Sequence, residues 1–174
     1  MERLLDEQAV AAALEKLHQS VAGSEANQPS LALVGVRSRG VPLARRLAAR
    51  LEKRGGGRPI PVGTLDITLY RDDRHQRRPW PLLRGTEIPF AVDDRRIVLV
   101  DDVIFTGRTA HAAIAALCAL GRPSAVRIAV LVDRGHREFP IQPDYVGQVV
   151  TAPADQRVNV HLQETDGLDE VVLT

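Results

Sequence analysis

The chain predicts an α/β fold, with a mostly parallel central sheet flanked by helices. Three observations lead there. Ile97–Val100 is an unbroken aliphatic run and Leu31–Val36 and Ala125–Val132 are mostly aliphatic, the pattern of strands buried on both faces of a parallel sheet. Segments with helical periodicity or high alanine content separate them, at Asp6–Val21, Val41–Lys53 and Ala110–Leu120, giving the alternation of strand and helix that such a sheet needs. Each aliphatic run also ends in a polar cluster: Arg37–Gly40, Asp101–Thr109 and Asp133–Arg137. Ligands of these sheets sit beyond the carboxyl ends of the strands, so the three clusters are expected to converge.

Taken in order, Asp6 caps the first helix, and Val10, Ala13, Leu14, Leu17 and Val21 recur on its inner face. Gly23–Ser30 is a polar turn before the first buried strand. Pro42 near a helix start introduces the second helix after Arg37-Ser38-Arg39-Gly40. Two arginines at a strand–helix junction suit an anion, although plain surface charge also fits them. Gly55-Gly56-Gly57 is a connector rather than a phosphate loop, since no helix follows it. Val62–Leu69 alternates loosely and reads as a strand. Arg71–Arg84 (RDDRHQRRPWPLLR) has five arginines, His75 and Trp80 between two prolines, with no periodicity. A long basic loop inside a small domain is uncommon and serves as a lid or binding loop, or is disordered. The alanine-rich helix stops at Gly121 with Pro123 beyond. Tyr145–Val150 and Val158–Leu162 are short strand candidates, and Val171–Leu173 adds an edge. No repeat or second domain is evident, so residues 1–174 read as one domain.

Composition excludes several classes. A formal net charge of +1 rules out electrostatic capture of nucleic acid by the molecule as a whole, though not by one basic face. Of the 23 lysines and arginines only Lys16 and Lys53 are lysine. The arginine bias fits two-point contacts to phosphate, and fits equally the codon usage of a GC-rich genome. Cys118 is the single cysteine; it excludes an internal disulfide and is expected to be a small buried residue. No stretch approaches 18 apolar residues and MERLLDEQAV is charged, so the chain is expected to be soluble and cytoplasmic, with no membrane partner.

Arg96–Ala113 (RRIVLVDDVIFTGRTAHA) is the most informative stretch. A buried strand delivers Asp101 and Asp102, a short loop Val103–Arg108 follows with Thr106, Gly107 and Thr109, and a helix comes next at Ala110–Leu120. A helix start offers unpaired N–H groups and a positive dipole end to a phosphate. Gly107 allows close backbone approach. The carboxylates cannot bind a phosphate, so they serve sugar hydroxyls or a divalent metal beside it. Neither G-x-x-x-x-G-K-[ST] nor G-x-G-x-x-G occurs, which argues against a nucleoside triphosphatase or dinucleotide enzyme. There is no zinc-ligand spacing and no G-x-S-x-G elbow. An acid pair at a strand end also suggests a phospho-acceptor receiver domain, but the turn that follows fits that poorly.

VLVDDVIFTGRTA resembles the phosphoribosyl-pyrophosphate signature of type I phosphoribosyltransferases. LDEQAV, VGVRSRGVPLARRLA, LDITLYRDD and AVLVDRGHREFPIQPDYVG narrow the resemblance to the PyrR family, from about Leu5 to the C-terminus. Ser38 stands where that family often has threonine, Phe105 where tyrosine is common, and the loop after Asp73 is unusually rich in arginine and proline.

The resemblance implies a type I phosphoribosyltransferase fold with a small hood, from about 133 onward plus parts of the N-terminus, and a flexible loop at about 71–84 that closes over the reaction. It implies both a uracil phosphoribosyltransferase, turning uracil and phosphoribosyl pyrophosphate into UMP and pyrophosphate, and a UMP-responsive regulator that binds a pyr mRNA leader hairpin. A transferase with no regulatory role is the alternative. Asp101 and Asp102 would meet the ribose hydroxyls, directly or through Mg2+ and water. Val103, Ile104, Phe105, Thr106, Gly107, Arg108 and Thr109 would cradle the 5′-phosphate. Arg37, Ser38, Arg39 and Gly40 match the pyrophosphate loop, in which a non-proline cis peptide is a family habit. Arg84, at the end of the flexible loop, and Arg134, in the hood segment, would contact substrate. Arg45, Arg46, Arg50, Arg134, His136 and Arg137 are the candidates for RNA, on a basic concave surface expected to be shared across a dimer, with dimer and tetramer both left open. No residue is an evident general base.

Overall fold

A computed structural model describes residues 1–68 and 85–174. The predicted strand Leu31–Val36 (β2) is present with those bounds, and all six residues are buried. It lies in a five-stranded, wholly parallel sheet of order β3-β2-β4-β5-β6, formed with Val62–Leu65 (β3), Arg96–Ile104 (β4), Ala125–Asp133 (β5) and Tyr145–Val149 (β6). Helices α1 (Glu7–Glu25) and α2 (Gly40–Arg54) cover one face, packing with Leu33, Val98, Val100, Ala129 and Leu131. Helix α3 (Arg108–Cys118) covers the other, over Val34, Val36, Ile97 and Leu99. The two-residue period of each strand thus feeds both cores, which is why the runs read as continuous aliphatics. Burying a leucine such as Leu17, Leu33 or Leu47 contributes roughly 1.5–3 kcal/mol.

Several sequence expectations need correction. β4 does not stop at Val100: it continues through Asp101, Asp102 and Val103 to Ile104, so both acids lie within the strand. After Gly35 pairs with Val100, β2 has left the ladder and β4 is paired only with β5. α3 accordingly begins two residues before Ala110, and it ends at Cys118, which is exposed rather than buried. β3 ends at Leu65, because Asp66 folds back to accept the N–H and hydroxyl of Thr68; Leu69 and the predicted loop Arg71–Arg84 lie outside the described residues.

Val171–Leu173 is not an edge. It belongs to Glu170–Leu173 (β8), the central strand of a separate antiparallel sheet, flanked by Glu2–Leu5 (β1) and Val158–His161 (β7). β1 escaped the sequence reading because ERLL is short and half charged. A four-residue helix, Gln163–Asp166 (α4), connects β7 to β8 and closes at Gly167 with φ +81°.

At the amino ends of the main strands, Glu25 is fully buried. Its carboxylate accepts hydrogen bonds from the Arg96 guanidinium and from the Tyr145 hydroxyl, the latter at 2.5 Å. Burial raises its pKa, but the bonds from Arg96 and Tyr145 outweigh that and hold it below the ordinary carboxylate value.

Candidate functional site

The polar ends of β2 and β4 lie side by side, because these strands pair in parallel register from Leu31–Arg96 to Gly35–Val100. Beyond Val36 the chain forms Arg37–Arg39, with a cis peptide between Arg37 and Ser38, and enters α2 at Gly40. Gly40 is pressed onto β4: a Cβ there would overlap the Val100 carbonyl oxygen and lie 3.3 Å from the Asp101 Cα. Only glycine permits this approach, so the cationic loop is fixed against the strand that carries the two acids.

Asp101 is in step with Ile97 and Leu99, and Asp102 with Val98 and Val100, so the pleat sends the carboxylates toward opposite faces. Asp101 Oδ1 accepts the Asp102 N–H and Asp102 Oδ1 accepts the Val103 N–H, both at 2.9 Å. Asp101 lines a cleft of about 910 Å³ together with Val103 and the turn residues 104–109. That turn closes at Gly107, with φ +88°, which serves as the N-cap of α3. The first turn-closing bond of α3 runs from His111 N–H to Gly107 O, leaving the amides of Thr109 and Ala110 at the open helix end. The hydroxyl oxygen of Thr106 accepts the Arg108 N–H at 3.3 Å.

The segment after β5 latches onto this turn. The Thr106 carbonyl accepts N–H groups of Glu138 and Phe139, both at 2.9 Å, and the Ile104 carbonyl accepts that of Arg134 at 3.2 Å. Arg108 pairs with Glu138 at 2.8 Å and lies 4.7 Å from the centre of the Phe139 ring. The Arg137 guanidinium donates to the Phe105 carbonyl at 2.9 Å, the Ile141 carbonyl at 2.9 Å and Asp133 at 2.7 Å. Burial alone would raise the pKa of Asp133; the bonds from Arg137 and the Gly135 N–H bring it below its ordinary value.

Both loop arginines have acidic partners that were not singled out in the sequence. Arg37 lies against Asp66, across Gly85, and its charge helps keep the Asp66 carboxyl low. Arg39 donates through Nη2 and Nε to Asp166 of α4, at 2.9 and 3.3 Å. Asp166 also accepts the Leu162 N–H and the Thr165 hydroxyl. Burial acts to raise its pKa, yet the bonds from Arg39, Leu162 and Thr165 bring it down to about 2. Neither aspartate carried a local signal beyond a polar turn, and each meets its arginine only through the tertiary fold.

The six RNA candidates do not form one free basic face. Arg45 is exposed on α2. Arg46, one residue on, is saturated by Glu164 and Asp169, with contacts of 2.5 to 2.9 Å. Arg50 lies 3.6 Å from Glu15. Arg134 is only 4% exposed; it donates to the Gln156 and Pro153 carbonyls and stacks 3.9 Å from the Phe105 ring centre. His136 Nε2 is 3.0 Å from the Ala152 carbonyl. Arg137 and most of the Arg134 guanidinium are thus committed to partners within residues 105–156, with Arg134 Nε buried and without a hydrogen-bond partner among the described residues, so within one copy these six cations do not pool on one surface. Arg84 lies outside the described residues.

Among the described residues no group of three His, Cys, Asp or Glu side chains could hold a metal ion by itself. Mg2+ keeps several waters and is held by one or two carboxylates plus substrate oxygens, so the Asp101–Asp102 pair fits it without a protein cage.

The family model for the phosphoribosyl transferase domain matches residues 1–162. The chain is 48% identical to the bifunctional protein PyrR of Pelotomaculum thermopropionicum over 171 residues, covering 98% of this chain and 94% of that protein. It is 57% identical to that of Chloroflexus aurantiacus over 141 residues, covering 81% and 77%. Among solved structures it is similar to a mutant hypoxanthine phosphoribosyltransferase of Trypanosoma cruzi in a ternary substrates complex, with a TM-score of 0.75 at 16% identity over 99% of this chain and 94% of that one. The hypoxanthine-guanine enzyme of Leishmania tarentolae, in complex with GMP, gives a TM-score of 0.68 at 20% identity over 98% and 94%. At such identity these two likenesses speak for the fold.

Proposed function

Because the chain belongs to the PyrR family of phosphoribosyl transferase domain proteins, we propose that it transfers phosphoribose from phosphoribosyl pyrophosphate to uracil, and that UMP in the same site promotes its binding to a pyr mRNA leader hairpin. The observation that carries the enzymatic half is the seating of the Arg37–Gly40 loop on the strand that bears Asp101 and Asp102. Asp101 and the 5′-phosphate turn line one cleft, and the cation loop is seated on the same strand beside them. These match the three parts of a pyrophosphorylated ribose.

In the reaction, the bond from uracil N1 to ribose C1 forms as the bond from C1 to the pyrophosphate oxygen breaks. The departing oxygen takes the electron pair, and the N1 proton passes to solvent or to the pyrophosphate. Developing positive charge on the ring is met by the Asp101 and Asp102 carboxylates, which also take hydrogen bonds from the ribose hydroxyls. Arg37 and Arg39 meet the negative charge gathering on the leaving group. Thr106, Gly107, Arg108 and Thr109 hold the 5′-phosphate at the open end of α3, with hydroxyls and amides directed at it. Asp101 and Asp102 would hold Mg2+, which would supply further charge neutralisation. The hood segment 134–141 sits over the cleft beside Phe105 and offers its backbone groups to the uracil edge.

The regulatory half is supported by the family. Arg45 and Arg50 are the arginine candidates with the most accessible charge for an RNA backbone, and His136 lies 6.1 Å, ring centre to ring centre, from Phe105 of the cleft. The commitment of Arg46, Arg134 and Arg137 to internal bonds favours a second reading, a transferase with no RNA role. Self-association belongs to the first reading, since a single copy gathers few free cations. A cytoplasmic location follows from the chemistry of its proposed partners: phosphoribosyl pyrophosphate, UMP and mRNA. Formation of UMP from uracil, together with filter binding of a pyr leader hairpin with and without UMP, tests both halves. UMP-enhanced, hairpin-specific binding is expected. Turnover with no preference over an unrelated hairpin would leave the transferase alone, and no turnover would sink the enzymatic half.

A further inference from the structure

The two loop arginines are not held alike. Arg39 is seated by a carboxylate from α4, the short helix that joins two strands of the small sheet, 127 residues further along the chain. Asp166 takes its Nε–Nη2 edge side-on, the two-point geometry in which a guanidinium loses least freedom. That edge is spent. No hydrogen-bond partner for Nη1 exists among the described residues, and the side chain is 35% exposed. Arg39 is also adjacent to Gly40, whose contact with β4 fixes the backbone from which this side chain springs.

Asp166 is itself tightly held. Its Oδ2 also accepts the Leu162 N–H at 2.9 Å and the Thr165 hydroxyl at 3.0 Å, so the α4 turn fixes the carboxylate. Arg46 pins the same segment to α2 through Glu164 and Asp169. A protonated Asp166 would release its cation, but with its pKa lowered to about 2 it stays ionised at any pH where the chain works.

From this geometry we propose that Asp166 is a positioning residue: it holds the Arg39 guanidinium so that the opposite edge, Nη1 with the outer N–H of Nη2, faces the diphosphate. The inference rests on the pyrophosphate reading of the Arg37–Gly40 loop. It makes the small antiparallel sheet, through α4, a part of substrate binding, although that sheet contributes no group to the reacting atoms. Asp166 acts on the diphosphate end only, so its influence on uracil is small.

The test is steady-state kinetics of the full chain for Asp166→Asn, Arg39→Ala, Arg39→Lys and the double variant Arg39→Ala/Asp166→Asn, each with a thermal melt. Asparagine keeps an acceptor for the Leu162 N–H while lacking the charge. Asp166→Asn is expected to raise KM for phosphoribosyl pyrophosphate about tenfold, the size of one charge-assisted contact, with KM for uracil within about twofold. Arg39→Lys, which keeps the charge but cannot sit side-on, is expected to match it. In the Arg39→Ala background Asp166→Asn is expected to add nothing, because its route to substrate is gone. An equal rise in both KM values, or a further loss in the Arg39→Ala background, would show a merely structural role and overturn the proposal. If Arg39→Ala itself leaves KM for phosphoribosyl pyrophosphate unchanged, the pyrophosphate reading of Arg39 fails first, a separate result that removes the basis of this one.

Discussion

The phosphate turn and the cation loop, at the ends of adjacent strands, are built in opposite ways. Asp101–Thr109 carries its own chemistry: acids, hydroxyl, left-handed glycine and helix start occur in nine consecutive residues. The Arg37–Gly40 loop supplies cations, but what holds them comes from far away, with Asp66 beside Arg37 and Asp166 on Arg39. A contiguous motif carries its own chemistry, and here its carbonyls at Ile104, Phe105 and Thr106 and the Arg108 side chain lean on residues 134–139. A site assembled by long-range ion pairs inherits the state of the segments that donate the acids.

The largest expected effect tests the contiguous half. Replacing both acids, Asp101→Asn/Asp102→Asn, should cut turnover of uracil by about 10²–10³-fold while the melting temperature changes little, since the strand hydrogen bonds remain. Because the two carboxylates face opposite sides of β4, the single variants should be unequal; equal losses would argue that both reach the same group.

Next is Gly40→Ala, which attacks the other half through its seat on β4. A Cβ in the path of the Val100 carbonyl forces backbone apart, for about 1–3 kcal/mol of stability, read by denaturant titration. KM for phosphoribosyl pyrophosphate should rise more than KM for uracil. Gly107→Ala should be milder: it strains a φ of +88° and brings a Cβ within 3.3 Å of the Phe139 Cβ, at a cost of about 1 kcal/mol in the same titration.

The smallest effect is the acid response. Asp166, with its ordinary value of 3.8 brought to about 2, is held ionised by partners present only in the folded chain; Asp133, Asp169 and Glu164 are lowered for similar reasons. Since the folded pKa lies below the unfolded one, this stabilisation is complete above about pH 4 and is lost as pH falls toward 2. Melting temperature should decline over that window, and Asp166→Asn should flatten the decline. A decline beginning near neutrality would point to histidine instead.

The sequence carried the main sheet well because its strands are buried on both sides, leaving unmistakable runs such as LALVGV and IVLV. It carried the phosphate turn because every part is local. What it did not carry is the small sheet, where ERLL and VVLT are short and their pairing, Glu2 with Leu173, spans the whole chain. The two aspartates behind the arginines were invisible for the same reason. Arg46, Arg134 and Arg137 read as surface charge because the sequence shows a cation but not the carboxylates and carbonyls that fold around it. A run of residues records the period of a strand, but it records nothing of a partner more than a hundred positions away.

The buried Glu25, at the far end of the sheet, bears on how that sheet comes together. Its two partners open β4 and β6, 71 and 120 residues downstream, and they meet it only when the strand order is right. A chain that placed β4 one position off would trap the carboxylate in an aliphatic layer without its cation, a penalty of about 3–5 kcal/mol, and one that misplaced β6 would cost it a buried hydroxyl hydrogen bond. That single acid, remote from any substrate, therefore favours the strand order that brings Arg96 and Tyr145 to it, the same order that sets the polar ends of β2 and β4 side by side.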